Sequence, residues 1–229
     1  MTPLQSHTLF YKRMGLILIA LLLMGFTPIV FNRFQSGGTL GPALIFHSFA
    51  YLLWFVLFVV QASLIAKKNI KLHQTLGKTS LAVVALLTIS ALIVTKNAYA
   101  AGSNAGTPFT PSHFIILPSM AMVMFIILYT LGFLNRREGE THKHYMLLAS
   151  IVIMDPGLAR LAMTLGVPPL ALFMHFGLLG TVMVYDRKNK RKIHKATKIA
   201  TAILVTNYIS LFTFGPTETW AKIANMLYG

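Results

Sequence analysis

Histidines mark both ends of the long apolar stretches in this chain. His47 lies near the start of one stretch, and His73 follows the basic turn that ends it. The same arrangement recurs in two further pairs, His113 with His142 and His175 with His194. Imidazole ligates haem iron and divalent metal ions, and it exchanges protons near neutral pH. The pattern therefore indicates cofactor binding or proton transfer, and both depend on the elements that position these side chains.

The composition places the chain in the membrane. Its 229 residues are 55% hydrophobic and only 11% charged, and the mean hydropathy is +0.68. Soluble domains carry about 25% charged residues. The chain contains no cysteine, which excludes cysteine-ligated iron–sulfur clusters, covalent c-type haem and a cysteine nucleophile. Any metal or haem must therefore be held by histidine, methionine or carboxylate side chains.

The net charge of +15 predicts orientation rather than a nucleic-acid partner. Lysines and arginines lie in short clusters between apolar stretches, not on one face of a soluble domain. Such clusters stay on the cytoplasmic side of a membrane and contact anionic lipid headgroups. We therefore expect a cytoplasmic N-terminus, an external C-terminus and the lipid bilayer as the main partner.

The apolar stretches are long enough to cross a hydrocarbon core of about 30 Å as helices. Nothing alternates apolar with polar residues as a membrane strand would. The sequence predicts an all-α integral membrane bundle of seven transmembrane helices forming a single domain, 1–229. The predicted spans are 14–31, 42–66, 76–95, 113–134, 145–165, 170–185 and 196–214. Three of the predicted helical hairpins resemble one another, 42–80, 111–150 and 168–200.

Two features interrupt this plan. Asp155, Pro156 and Gly157 lie inside the fifth predicted span, and the proline is expected to kink that helix. The tail 215–229 carries Trp220 and Tyr228 and is expected to form a short helix at the membrane surface.

With this topology the histidines fall into two layers. His47, His113 and His175 belong to the outer half of the membrane. The inner ends of the spans carry His73, His142, His144 and His194. Because the layers are separated by roughly 25 to 30 Å, His47 and His73 cannot share one site.

The first chemistry that fits two layers is bis-histidine ligation of haem b. His47 with His113 would hold an outer haem, and His73 with His142 an inner one. Two haems at these depths would carry electrons across the membrane. The expected function is therefore transmembrane electron transfer.

Two resemblances accompany this interpretation. The segments KKNIKLHQTLGKTSLAVV, TPSHF and THKHYM are similar to the transmembrane di-haem cytochrome b family that uses ascorbate-type reductants. That resemblance implies one haem-ligating histidine on each of four consecutive spans. The third hairpin has no counterpart in such a four-helix core. The segment RREGETHKHYMLLASIVIMDPGLARL resembles a group of uncharacterised bacterial polytopic membrane proteins, which implies a bacterial inner membrane and supplies no activity.

Two alternatives remain open. His47, His113 and His175 with Asp155 could hold zinc or another divalent metal in an enzyme. Asp155, Arg160 and the histidines could instead relay protons or bind a small anion in a transporter, a sensor or an accessory subunit. Asp155 and Arg160 could also form an internal salt bridge without further function. Membership of a membrane complex or a homo-oligomer is compatible with each alternative.

Overall fold

The computed structural model describes residues 3–104 and 106–229, with side chains from residue 9 onward except Lys190. Within these ranges the chain is helical, with turns and short loops and without strands. The helices are α1 Pro3–Gln35, α2 Pro42–Ala66, α3 Ile70–Ala100, α4 Pro111–Phe114, α5 Ile116–Leu134, α6 Gly139–Val152, α7 Asp155–Thr164, α8 Leu170–Lys190, α9 Lys195–Thr213 and α10 Glu218–Tyr228. The predicted all-α class is confirmed.

Four segments are long and apolar enough to cross a membrane unbroken. They are Leu9–Gln35, Pro42–Ala66, Ile70–Ala100 and Pro111–Leu134. Two bent pairs, α6 with α7 and α9 with α10, raise the number to six if each pair is one span. Helix α8 is not among these candidates, because its last turns carry Asp186, Arg187 and Lys188. Length and composition therefore give four to six spans in the described part of the chain.

The predicted interruption of the fifth span is confirmed. Helix α6 ends at Val152 and α7 begins at Asp155, with a bend of 44° between them. Pro156 occupies the first turn of α7, where its missing N–H costs no hydrogen bond. The Tyr51 hydroxyl donates to the carbonyl of Ile153 inside the break. Side chains from neighbouring helices thus satisfy backbone groups that the break releases.

The tail forms the separate helix expected from its sequence. Helix α10 turns by 106° from α9, and its Trp220 is buried. The Trp220 indole Nε1 donates to the carbonyl of Ser112, at 2.6 Å. Trp220, Ala224 and Tyr228 of α10 form a small second core with Ile115, Ile116 and Leu211. This core joins α10 to the start of α5 and the end of α9.

The main core lies between α1, α2, α5 and the broken pair α6–α7. Phe55, Phe125 and Leu148 are fully buried there, and the Trp54 indole donates to Ser150 Oγ at 3.1 Å. Large apolar side chains cover much of the outside, as expected for a surface that faces lipid tails. The histidines named above are distributed through this framework at both ends of the helices.

Candidate functional site

His73 and His142 face each other between α3 and α6. Their ring centroids are 6.3 Å apart, with the ring planes nearly perpendicular. The Nδ1–H of His142 donates to the carbonyl of Gly132 at 2.8 Å, which leaves Nε2 as the other ring nitrogen. A hydrogen bond from one ring nitrogen to a carbonyl is the usual way in which proteins orient a metal-ligating histidine. The inner pair expected from the sequence is therefore brought together.

The surroundings of His73 contain polar atoms without partners. Its Nδ1 is buried close to the backbone of Gln61 but makes no hydrogen bond of acceptable geometry. Both polar atoms of the Gln61 side chain are also buried and unpartnered. One turn after His73, Gly77 leaves space, since a Cβ there would meet only Gln61 Nε2, at 3.9 Å. This combination of unpaired polar atoms and room beside a histidine fits a cofactor site.

The structure gives His47 and His113, the outer pair expected from the sequence, separate partners. His47 Nδ1 lies 3.0 Å from Ser90 Oγ, whose own proton is donated to the carbonyl of Leu87. His113 Nε2 donates to the carbonyl of Leu211 at 2.6 Å, and its ring packs against Phe109. Ser90 is 17 residues beyond His73 on α3, or roughly 25 Å along the helix. The predicted separation of His47 from His73 agrees with this placement.

A second inner pair, which the sequence analysis did not single out, joins α6 to α8. His144 Nε2 lies 2.7 Å from Asp186 Oδ1, and both side chains are fully buried. His144 Nδ1 donates to the carbonyl of Glu140 at 2.7 Å. The ring of His194 stacks on His144 at 4.2 Å. His144, which the sequence placed at the inner end of a span, is therefore part of a buried His–Asp pair.

The carboxylate of Asp186 is saturated with donors. Oδ1 contacts His144, while Oδ2 accepts the backbone N–H of His194 at 2.9 Å and the Thr197 hydroxyl at 2.6 Å. Asp186 lies outside the candidate spans. Burial raises the pKa of Asp186, but the hydrogen bonds from His144, Thr197 and the His194 amide outweigh burial and hold that pKa below its ordinary value.

A second His–Asp pair lies at the break between α6 and α7. His175 Nδ1 is 2.6 Å from Asp155 Oδ1, and the Tyr208 hydroxyl donates to the same oxygen at 2.7 Å. His175 Nε2 donates to the carbonyl of Ile151 at 2.9 Å. Asp155 therefore contacts His175 and Tyr208, and the Asp155–Arg160 salt bridge that the sequence left open is not formed. Arg160 instead donates to the carbonyl of Pro156 and lies over the ring of Phe26.

The metal set expected as an alternative was His47, His113, His175 and Asp155. Only His175 and Asp155 of these four are in contact. Among the residues that the structure describes, no group of three or more histidines and carboxylates is placed to hold a metal ion.

The two His–Asp pairs come from a sequence repeat. HYMLLASIVIMD, 144–155, and HFGLLGTVMVYD, 175–186, share histidine at the start, aspartate eleven positions later and two leucines between them. The two segments lie on antiparallel helices, so the histidine of each bonds the aspartate of the other. The shared His-x10-Asp spacing was the signal in the sequence that could have revealed both pairs.

No family model, curated protein or solved structure matches this chain. The two resemblances inferred from the sequence stay predictions, and the function proposed below rests on the geometry of the histidines.

Proposed function

We propose that this protein binds haem b between His73 and His142 and transfers electrons in the membrane. The observation that supports this proposal is the proximity of two imidazoles on different helices, 6.3 Å apart between ring centroids. Metal–imidazole bonds are about 2.0 to 2.1 Å long, so two rings on opposite sides of one metal ion have nitrogens about 4 Å apart and centroids somewhat farther apart. The separation of the rings is of this size.

The surrounding residues would support such a group in three ways. Gly132 orients His142 through its carbonyl oxygen, Gly77 leaves room beside His73, and Gln61 provides an unpaired amide in the same region. Bound haem would supply a one-electron redox centre. The apolar helices around it would exclude water and so influence its reduction potential.

The outer histidines, His47 and His113, are not brought together as the inner pair is. His47 is hydrogen-bonded to Ser90 and His113 to the carbonyl of Leu211, and the structure shows no ring contact between these two histidines like that of His73 and His142. A single inner haem is therefore the form of the proposal that needs the least rearrangement, and the outer pair stays a prediction from the sequence.

Absorption spectroscopy tests the haem site. After expression with haem supply, or reconstitution with haem b, we expect the purified protein to show a Soret band. We expect His73→Ala and His142→Ala each to reduce the bound haem about tenfold, because each would remove one of the two histidines that would hold it. His7→Ala is the control, since the sequence gives His7 no ligand role.

Two results would overturn the haem proposal. One is a wild-type protein that shows no Soret band after reconstitution. The other is a haem content that is equal in the two ligand variants, the His7→Ala control and the wild type.

We further propose that the bundle has seven spans in a bacterial inner membrane, with a cytoplasmic N-terminus and an external C-terminus. Here the apolar part of α8, 170–185, is the additional span. Its burial against α6 and α7 through two His–Asp contacts supports this assignment, as does the basic segment that follows it.

Single-cysteine labelling tests the span count, and the absence of native cysteine makes it direct. Val167→Cys precedes α8 and Lys192→Cys follows it. With a membrane-impermeant maleimide on intact cells, we expect labelling at position 167 and none at position 192 until the membrane is permeabilised. Labelling of both positions from the same side would remove α8 from the spans.

A further inference from the structure

The two His-x10-Asp segments form two His–Asp pairs of the same kind, His144–Asp186 and His175–Asp155. The carboxylates of Asp186 and Asp155 can therefore be compared directly. The two histidines make matching hydrogen bonds. His144 and His175 each donate one ring N–H to a backbone carbonyl and direct the other nitrogen at an aspartate oxygen. The two carboxylates, by contrast, differ in the hydrogen bonds that they accept.

Asp186 has donors on both oxygens. A carboxylate that accepts several hydrogen bonds is stable in its charged form even when it is buried. The inner copy of the pair is therefore a closed structural contact that joins α6, α8 and the start of α9.

Asp155 has donors on one oxygen only. Oδ1 receives both His175 and Tyr208, whereas Oδ2 is buried and has no hydrogen-bond partner. A charged carboxylate oxygen without a donor is costly away from water, because nothing replaces its hydration. A proton on Oδ2 would remove this cost.

We propose that Asp155 and His175 form a proton-binding site at the break between α6 and α7. The step is the addition of one proton to Asp155 Oδ2, which converts the carboxylate to a carboxylic acid, and its later release to water. No electron moves in this step. His175 Nε2 keeps its proton during this step, since it donates to the carbonyl of Ile151. The haem proposal does not bear on this site.

The charged and titratable groups around the site come from four helices. Helix α7 contributes Arg160, α8 contributes His175 and α9 contributes Tyr208. Helix α2 contributes Tyr51, which bonds Ile153 in the break, and His47. Arg160 is not hydrogen-bonded to Asp155, so it favours the charged carboxylate only at a distance, while His175 and Tyr208 favour it directly.

The break in the helix explains why the site lies here. Backbone that leaves the helical pattern inside a membrane is tolerated where it lines protein-buried polar space. Asp155 is the first residue after that break, and its side chain is 13% exposed, whereas His175 is fully buried. The Asp155 carboxyl group therefore lies nearer to the surface of the bundle than the fully buried His144–Asp186 pair, although Oδ2 itself is buried.

Infrared difference spectroscopy of the full-length protein at varied pH tests the proposal. We expect the carbonyl band of a buried carboxylic acid to grow in the wild type as the pH falls. The band should be lost in Asp155→Asn and retained in Asp186→Asn, which is the matched change in the other copy. The proposal is overturned if the wild type lacks this band or if the band survives in Asp155→Asn.

A second variant keeps the test decisive if Asp155→Asn does not fold. Tyr208→Phe leaves the carboxyl group in place but removes one donor from its charged form. We therefore expect the same band to develop at higher pH than in the wild type. A band that develops at unchanged pH in Tyr208→Phe would contradict the assignment to Asp155.

Discussion

Replacement of Asp186 by alanine is expected to destabilise the protein by about 3 to 5 kcal/mol, the usual cost of breaking a buried ion pair from one side. The change removes the carboxylate partner of the buried His144, leaving only the Tyr11 hydroxyl, 3.4 Å away, beside Nε2. It also removes the acceptor of the Thr197 hydroxyl and of the His194 amide. Thermal or denaturant unfolding of the purified protein in detergent measures the effect. His144→Ala is expected to have a cost of the same order, because it leaves the carboxylate partly unpaired.

A double-mutant cycle separates the pair from its surroundings. The variant carrying both His144→Ala and Asp186→Ala should be more stable than the sum of the two single effects implies, by about 0.5 to 3 kcal/mol. Glu140→Ala is the control, since its ion pair with Lys143 lies at the surface and such pairs contribute about 0 to 1 kcal/mol. Additive single effects, or a cost for Asp186→Ala no larger than that of the control, would contradict the prediction.

The His144–Asp186 pair also makes the free energy of unfolding depend on pH. The direction of this dependence follows from the pKa of Asp186. That pKa is lower in the folded protein than its ordinary value of 3.8. The stabilisation is therefore fully present above the unfolded pKa and is lost as the pH falls through the folded pKa. Asp186→Asn should lack this acid-sensitive part of the stability.

The sequence was informative about which histidines share one end of the bundle. The positions of His73 and His142 relative to the basic turns predicted that both lie at the same end of the bundle, and the structure brings them into contact. The helix break at Pro156 followed from the missing amide of proline. Both predictions depend on local chemistry that the sequence states directly.

The sequence was less informative about which way each helix faces. Helices in a membrane are apolar on all sides, so no polar face fixes the rotation that would turn His47 toward His113. His144 and Asp186 are 42 residues apart, and their contact depends on how α6 packs on α8. Only the repeated His-x10-Asp spacing connects them in the sequence, because equal spacing on antiparallel helices lets two reciprocal pairs form at once.

Replacement of Gly25 by alanine is expected to destabilise the protein by about 1 to 3 kcal/mol, the usual range for an overpacked contact. Gly25 lies where α1 crosses the start of α7. A Cβ there would lie 2.2 Å from the carbonyl oxygen of Gly157, and that backbone atom cannot move without shifting the helix. Small residues let membrane helices approach this closely, and a methyl group would force α1 away from α7.

The matched control is Gly177→Ala in α8, where a Cβ would meet nothing within 4 Å. In an open helical position alanine is favoured over glycine by about 1 kcal/mol, so this control should be neutral or slightly stabilising. Unfolding of both variants in the same detergent gives the comparison. Equal stabilities for Gly25→Ala and Gly177→Ala would mean that α1 and α7 are not in contact at Gly157.

Because Asp155 begins α7, displacement of α7 in Gly25→Ala should also change the pH at which the carboxylic acid band develops. The band of Gly177→Ala should develop at the same pH as that of the wild type.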